Sequence, residues 1–369
     1  PADLAESREC GRPVGGTENV GFREMESAVT LKKVLRTSLL LLAVLLAVSA
    51  ASLLCGPAET GVLSKIREGL TSGRMPAFVL TPGEKTILFS LRLPRIVFAG
   101  LVGASLSTAG VLFQALLRNP LADPYILGIS GGSALGAIVG IFAGLGSLPL
   151  GTPVPAFLGA AFTVFLVLAA GGSKRGFSPG TLLLAGVIVN AFFSALIMLA
   201  LALSSHADLQ KITFWLMGNL SLAGYPEAML TALVLAAGFA VAVLNARSIN
   251  LMSLGEETAL HLGVSVGRIR ILLLLSGSLL TSVAVAFSGT VGFVGLIIPH
   301  LMRMLLGADH RLLLPASLLF GASFLIAADT LARTLVPDMD LPVGVVTALC
   351  GSPYFLYLLR KGRFSSWSF

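Results

Sequence analysis

Five groups of side chains in this 369-residue chain have types and spacings that could do chemistry. Arg92 and Arg95 bracket Leu93-Pro94 with no acid close by in sequence, so they could receive carboxylates from a partner. Asp329 and Arg333 stand four residues apart, a spacing that allows an ion pair on one helix face and lowers the cost of both charges at membrane depth. That pair could equally be structural, with Arg333 snorkelling outward from the helix end. Gly255-Glu256-Glu257 puts two acids where a helix first turn would favour them. His300 and His310 lack acidic or cysteine company, which makes them a weak metal signal. Cys10, Cys55 and Cys350 have no metal-ligand spacing and give no disulfide framework, and Cys350 reads as a small core residue. None of this amounts to a catalytic constellation. Gly171-Gly172-Ser173-Lys174 fails the spacing of a phosphate loop, and no His-Glu-x-x-His helix occurs.

The elements that must position these residues are membrane helices. Hydrophobic residues make up 55% of the chain and charged residues 12%, about half the charged share of a soluble domain. The apolar residues form long charge-free runs, such as 37–55, 96–117, 125–173 and 271–302, rather than stripes or alternations. A spanning helix needs about 20 such residues, and continuous runs favour helices over a barrel. Cut at Gly- and Pro-rich turns, the runs give ten spans: 34–55, 93–117, 126–145, 155–171, 180–203, 227–246, 270–288, 292–306, 312–334 and 341–360. The fold class is therefore all-α and integral to a membrane.

Ten spans leave both termini on one side, and the charges identify it. Arg118, Lys174, Arg175, Arg247, Arg268, Arg270, Arg303, Arg311, Arg360, Lys361 and Arg363 fall in one set of loops and the C-terminal tail, which the positive-inside rule makes cytoplasmic. The short loops on the other side hold Lys211 and Arg333, and the exception is the pair Arg92 and Arg95. The net charge of +7 thus reflects topology; no basic patch interleaves with aromatics, so nucleic acid is not a partner. The first run starts too deep in the chain for a cleaved signal peptide. Residues 1–30 read as a polar tail, with Met25 before the basic flank Lys32, Lys33 and Arg36 as the expected natural start. Residues 31–363 read as one ten-helix domain, and 364–369 as a C-terminal tail.

Within the spans, Gly128, Gly132, Gly136 and Gly140 share one helix face and suggest a close-packing seam in preference to a pore groove. Gly186, Asn190 and Ser194 share a face of the fifth span. Asn190 either bonds a neighbouring helix or lines an aqueous path. On the cytoplasmic side, Pro120 and Pro124 stiffen the loop Arg118–Pro124. The segment 245–270 reads as two short helices, with Gly263 as a stop and Ser265 as a cap. Leu254, Leu260, Leu262 and Val264 are too many apolar residues for a free loop and suggest a docking surface for another protein. No carboxylates cross the mid-bilayer as a proton- or sodium-coupled carrier would require, so uphill transport would need energy from another polypeptide.

Taken in order, these motifs resemble a known family. Arg92-Leu-Pro-Arg95, Gly110 through Gln114, Asn119-Pro-Leu-Ala122, Leu127-Gly128, Leu254-Gly-Glu-Glu257, Leu262-Gly263, Gly292-Phe-Val-Gly-Leu296, Pro299-His300, Arg303, Asp309-His-Arg311, Leu314-Pro315, Ala328-Asp329, Ala332-Arg333 and Leu341-Pro-Val-Gly344 are similar to the permeases of bacterial importers for iron-siderophores, haem and vitamin B12. The resemblance spans residues 31 to 363. It implies a type II ABC importer permease of ten spans, paired with a second permease copy or with a homologous permease. Two cytoplasmic ATPase subunits would dock on Leu254, Gly255, Glu256, Glu257, Leu262 and Gly263. A periplasmic substrate-binding protein would dock on Arg92, Arg95 and Arg333, which would account for the arginines that break the charge rule. It further implies a cytoplasmic gate at Asn119, Pro120, Leu121 and Ser178, although Pro179 stands where many relatives have a hydroxyl residue. The fifth and tenth spans, with Gly186, Asn190 and Ser194, would line the path. The chain itself would bind no cofactor, ATP and magnesium belonging to the partner ATPase. A self-sufficient secondary carrier and a membrane enzyme are the competing readings.

Overall fold

The structure is a computed structural model that describes residues 30–56, 61, 80–171, 179–221, 224–336 and 339–360. The expectations for residues 1–29, Ser178 and the tail 364–369 lie outside the described residues. All regular elements among the described residues are helical.

Each predicted span becomes a helix. They are α1 (Leu31–Leu54), α2 (Pro82–Leu117), α3 (Ile129–Phe142), α4 (Pro153–Gly171), α5 (Pro179–Leu203), α7 (Tyr225–Leu244), α10 (Val266–Ser288), α11 (Val294–Leu306), α12 (His310–Thr334) and α13 (Val343–Arg360). Seven are long and apolar enough to cross a bilayer alone; α3, α11 and α13 are shorter apolar helices. Between them lie α6 (His206–Leu216), α8 (Ala246–Ser253) and α9 (Glu256–His261). Their bounds follow local chemistry. The Thr30 hydroxyl accepts from the Lys33 N–H at the start of α1, and Ser205 does the same for Asp208 in α6. Pro82, Pro153 and Pro179 open α2, α4 and α5, where a missing N–H costs nothing.

α2 forms the axis of the bundle. From Phe98 to Leu117 almost every side chain is buried, packed among α12, α10, α11 and α7. Small residues allow this: a Cβ on Gly103 would lie 2.8 Å from Leu325 Cβ of α12. The predicted glycine seam packs α3 on α4. A Cβ at Gly132 would sit 2.6 Å from the Gly159 carbonyl oxygen and one at Gly140 would sit 2.6 Å from that of Gly151. Gly128 does not belong to the seam. It caps α3 from outside with φ +77° and faces α5.

Two features differ from the sequence expectation. The region between the fifth and sixth spans holds the amphipathic helix α6, whose end meets the end of α10: the Thr290 hydroxyl donates to the Leu216 carbonyl, and the Asn219 N–H donates to the Ser288 carbonyl at 2.7 Å. The second span begins eleven residues earlier than expected, and its segment Thr86–Arg92 is π-helical.

Candidate functional site

At one end of the bundle Arg92 and Arg95 of α2 and Arg333 of α12 come together beside the end of α1. The π segment ends at Arg92, three residues before Arg95. Arg95 is not left without an acid. Its Nε donates to both Asp329 oxygens, at 3.0 and 3.1 Å, its Nη2 donates to Asp329 Oδ1 at 2.9 Å, and its Nη1 donates to Asp340 Oδ2 at 2.9 Å. The acids come from 234 and 245 residues away, which is why the sequence neighbourhood suggested uncancelled charge.

Arg92 is also turned inward. Its Nη1 donates to the Leu53 and Leu54 carbonyls at the end of α1, and its guanidinium packs on Gly56. Arg333 does not snorkel. It is buried, its Nη2 donates to Ser52 O at 2.9 Å and Ser52 Oγ at 2.6 Å, and its Nε lies 3.6 Å from Asp329 Oδ2. The i,i+4 pair therefore forms, but as the longer of the two contacts that Asp329 makes. Solvent reaches the cluster mainly through Asp340, whose side chain is 49% exposed, and Arg95, at 14%.

At the other end, the loop after α2 is held by side-chain hydrogen bonds. Arg118 caps α2 in the left-handed region at φ 49°, and the Asn119 side-chain oxygen accepts the Leu121 N–H at 2.9 Å. Asp123 Oδ1 accepts the Tyr125 N–H at 2.8 Å. Burial of the Asp123 carboxyl pushes its pKa up to about 6, only partly offset by that hydrogen bond. The Tyr125 hydroxyl donates to the Val291 carbonyl and accepts the Val291 N–H, fastening the loop to the chain before α11. Pro120 is half-buried and Leu121 exposed. Nearby, Arg303 donates to Gln114 Oε1 at 3.3 Å, and the buried His300 ring packs on Tyr354 and Phe355 of α13.

Of the fifth-span trio, Gly186 and Asn190 both border Gly128 at the start of α3. Gly186 is a packing residue, since a Cβ there would lie 2.6 Å from the Ile126 carbonyl oxygen. Asn190 is exposed and Ser194 half-buried, on a helix whose face of Leu184, Val187, Ile188 and Phe192 is uncovered.

The segment 245–270 folds as the predicted elbow. α8 and α9 meet at Gly255, with φ 126°, and α9 stops at Gly263, with φ 83°; both angles favour glycine. Leu254, Leu260 and Leu262 are 65, 57 and 58% exposed, whereas Val264 is buried, so the uncovered apolar face consists of the three leucines. Ser265 stands at the cap position of α10 without making the capping bond. Glu257 is exposed. Glu256 instead turns inward to Arg118, 3.0 Å away, and to Arg270.

Among the described residues no group of three or more His, Cys, Asp or Glu side chains gathers as a metal site. The sequence pattern of the FecCD transport family matches residues 39–361. The chain belongs to that family. Over 281 residues it is 43% identical to the cobalamin import system permease BtuC of Halobacterium salinarum, covering 75% of this chain and 74% of that one. Over 288 residues it is 41% identical to the hemin transport system permease HmuU of Yersinia pestis, covering 75% and 84%. A solved structure described as an inward-facing conformation of a metal-chelate type ABC transporter superposes with a TM-score of 0.75 at 34% identity, over 89% of this chain and 99% of that chain.

A FecCD permease is a translocation component and not an enzyme, which answers the membrane-enzyme alternative. The fold is that of a type II ABC importer permease. In this FecCD chain the sequence missed a polar latch. Asn250 of α8 donates through Nδ2 to Asp309 Oδ1 at 2.8 Å, and its Oδ1 accepts the His310 N–H at 2.9 Å. Burial alone would raise the Asp309 pKa, but bonds from Arg311 and Asn250 outweigh it and hold the carboxyl at about 2. An Asn in an amphipathic eight-residue helix carries no such signal by itself; the one clue was Asp309 as an N-cap ahead of α12.

Proposed function

We propose that this FecCD permease is the membrane subunit of an ATP-driven importer for a large metal chelate, working as a pair of permease copies in a bacterial inner membrane with both termini cytoplasmic. The observation that carries this reading is the elbow. An apolar face of Leu254, Leu260 and Leu262 is uncovered at the inner side, while the acid behind it is fixed to the end of α2. Three exposed leucines on short helices fit a protein partner rather than water, and the ATPase subunits are the partner that a permease requires. At the opposite end, Arg95 and Asp340 form the exposed edge of the arginine cluster, with Arg92 and Arg333 adding positive field from behind. Carboxylates of a periplasmic binding protein would meet that edge, an arrangement that sets register and on-rate more than affinity. The cargo class is a metal chelate because relatives of comparable identity are named for cobalamin and hemin. The uncovered faces of α5 and α13 would meet the second copy around the path, with Asn190 at its edge.

The reading is tested in proteoliposomes holding the permease, its ATPase and binding protein, with chelate inside the vesicles measured over time. Uptake is expected to require ATP and all three components. Concentration of chelate by the permease alone under an ion gradient would establish the secondary-carrier alternative instead.

A further inference from the structure

Glu256 is the one acid of the elbow committed to the bundle. Its Oε1 lies 3.0 Å from Nη2 of Arg118 and also contacts Arg270. Arg118 is the cap residue that follows α2 and leads directly into Asn119-Pro120, the loop held by Asp123, Tyr125 and Val291. Arg270, one turn into α10, steadies Glu256 from the other side. The elbow has a second anchor at Asn250, but that bond reaches α12 and not the loop. Among the described residues, Glu256–Arg118 is the only ion pair between the elbow and the loop after α2.

We infer that the Glu256–Arg118 pair is the positioning link by which movement of the elbow reaches the loop Asn119–Asp123. The deduction rests on the reading of the elbow as the ATPase dock. Both side chains are about one-third exposed, so the pair adds little to static stability. The link would act through geometry. Arg118 sits in a left-handed cap after a buried helix, and Asn119 next to it is restricted by Pro120, so the backbone at the start of the loop has little freedom to yield independently. A shift of α9 that keeps the ion pair must therefore move the start of the loop. Arg270 alone would leave Glu256 attached to α10, and the loop would not follow.

The experiment compares wild type, Arg118→Glu, Glu256→Arg and the double reversal in proteoliposomes with ATPase and binding protein, recording chelate taken up per ATP hydrolysed. Each single reversal is expected to lower that ratio about fivefold or more, and the double reversal to recover most of it. Arg118→Lys, which keeps the charge, is expected to stay near wild type. A ratio unchanged in Arg118→Glu, or a double reversal no better than its parents, overturns the inference. A second measurement covers variants that assemble poorly. Hydrogen exchange of residues 118–124 in the wild-type permease is expected to change when ATPase is added, and in Arg118→Gln to respond no longer while α9 still does. A retained loop response there also overturns the link. Failure of the underlying reading looks different: the wild-type elbow would show no exchange response to ATPase.

Discussion

Replacing Asp329 by Asn removes one negative charge from a buried cluster without changing its shape. The cluster holds Arg92, Arg95 and Arg333 against Asp329 and Asp340, a net charge of +1 that the substitution raises to +2. Asp329 is 1% exposed and Arg333 3%, so both lie beyond effective screening by water. Losing one member of a buried pair costs about 3–5 kcal/mol, because the remaining charge stays uncompensated. The cost here falls near the lower end, about 3 kcal/mol. Arg95 keeps Asp340, and Arg333 keeps two bonds to Ser52. Asp340→Asn is the matched control: it removes the same charge from a half-exposed position and costs below about 1 kcal/mol. At about 2–4 °C per kcal/mol for large domains, thermal unfolding followed by circular dichroism in one detergent should fall by roughly 6–12 °C in D329N and by at most a few degrees in D340N. Equal shifts in the two variants would refute the claim that burial, rather than charge count, governs this cluster.

Three further outcomes follow from the geometry. Asp123 has a folded-state pKa near 6, above its ordinary value of 3.8, so its contribution to stability is complete below about 4 and is lost as pH rises through about 6. Asp123→Asn should therefore flatten the stability–pH curve across that window, and a denaturation series from acid to neutral pH checks it. Exchanging Leu254, Leu260 and Leu262 together for Ser should leave the purified permease folded, since these side chains contact mainly water, yet cause loss of ATPase on size-exclusion chromatography. Gly132→Ala puts a Cβ 2.6 Å from the Gly159 carbonyl, about 0.8 Å inside ordinary contact, and should cost about 1–3 kcal/mol; thermal melting equal to wild type would show that the seam can open freely.

The ten helices were legible because lipid imposes one rule on every spanning segment, and runs such as Thr37–Leu54 or Ile271–Phe287 obey it without local exceptions. The elbow was legible for a different reason: Gly255, Glu256 and Gly263 punctuate a short helix in the order that caps require. α6 went unread because His206, Asp208 and Lys211 disqualify it as a span. Its Ser205-x-x-Asp208 cap was nevertheless present in the sequence. The π turn Thr86–Arg92 has no residue pattern that separates it from an ordinary helix.

Sequence reasoning supplied the local partner of Arg333, Asp329, but not the long-range partners of the buried charges, and the reason is energetic. In a bilayer a charge must find compensation wherever the fold brings it, so Arg95 meets Asp329 from 234 residues away, and Arg333 adds to its local acid Asp329 the Ser52 carbonyl from 281 residues away. These partners follow an order once the helices are placed. α2 runs from the cluster at Arg95 to its cap Arg118, while α12 runs from its cap Asp309 to the cluster at Asp329. Gly103 and Gly321 let the backbones of α2 and α12 approach closely, so the two helices form one tightly packed frame with a charged cluster toward each end and no ionisable side chain in its middle. Any displacement of one cluster that keeps this packing must move the frame as a body, because close-packed interiors transmit strain instead of absorbing it. A chain of ionisable groups through the bilayer is therefore not needed to join its two ends.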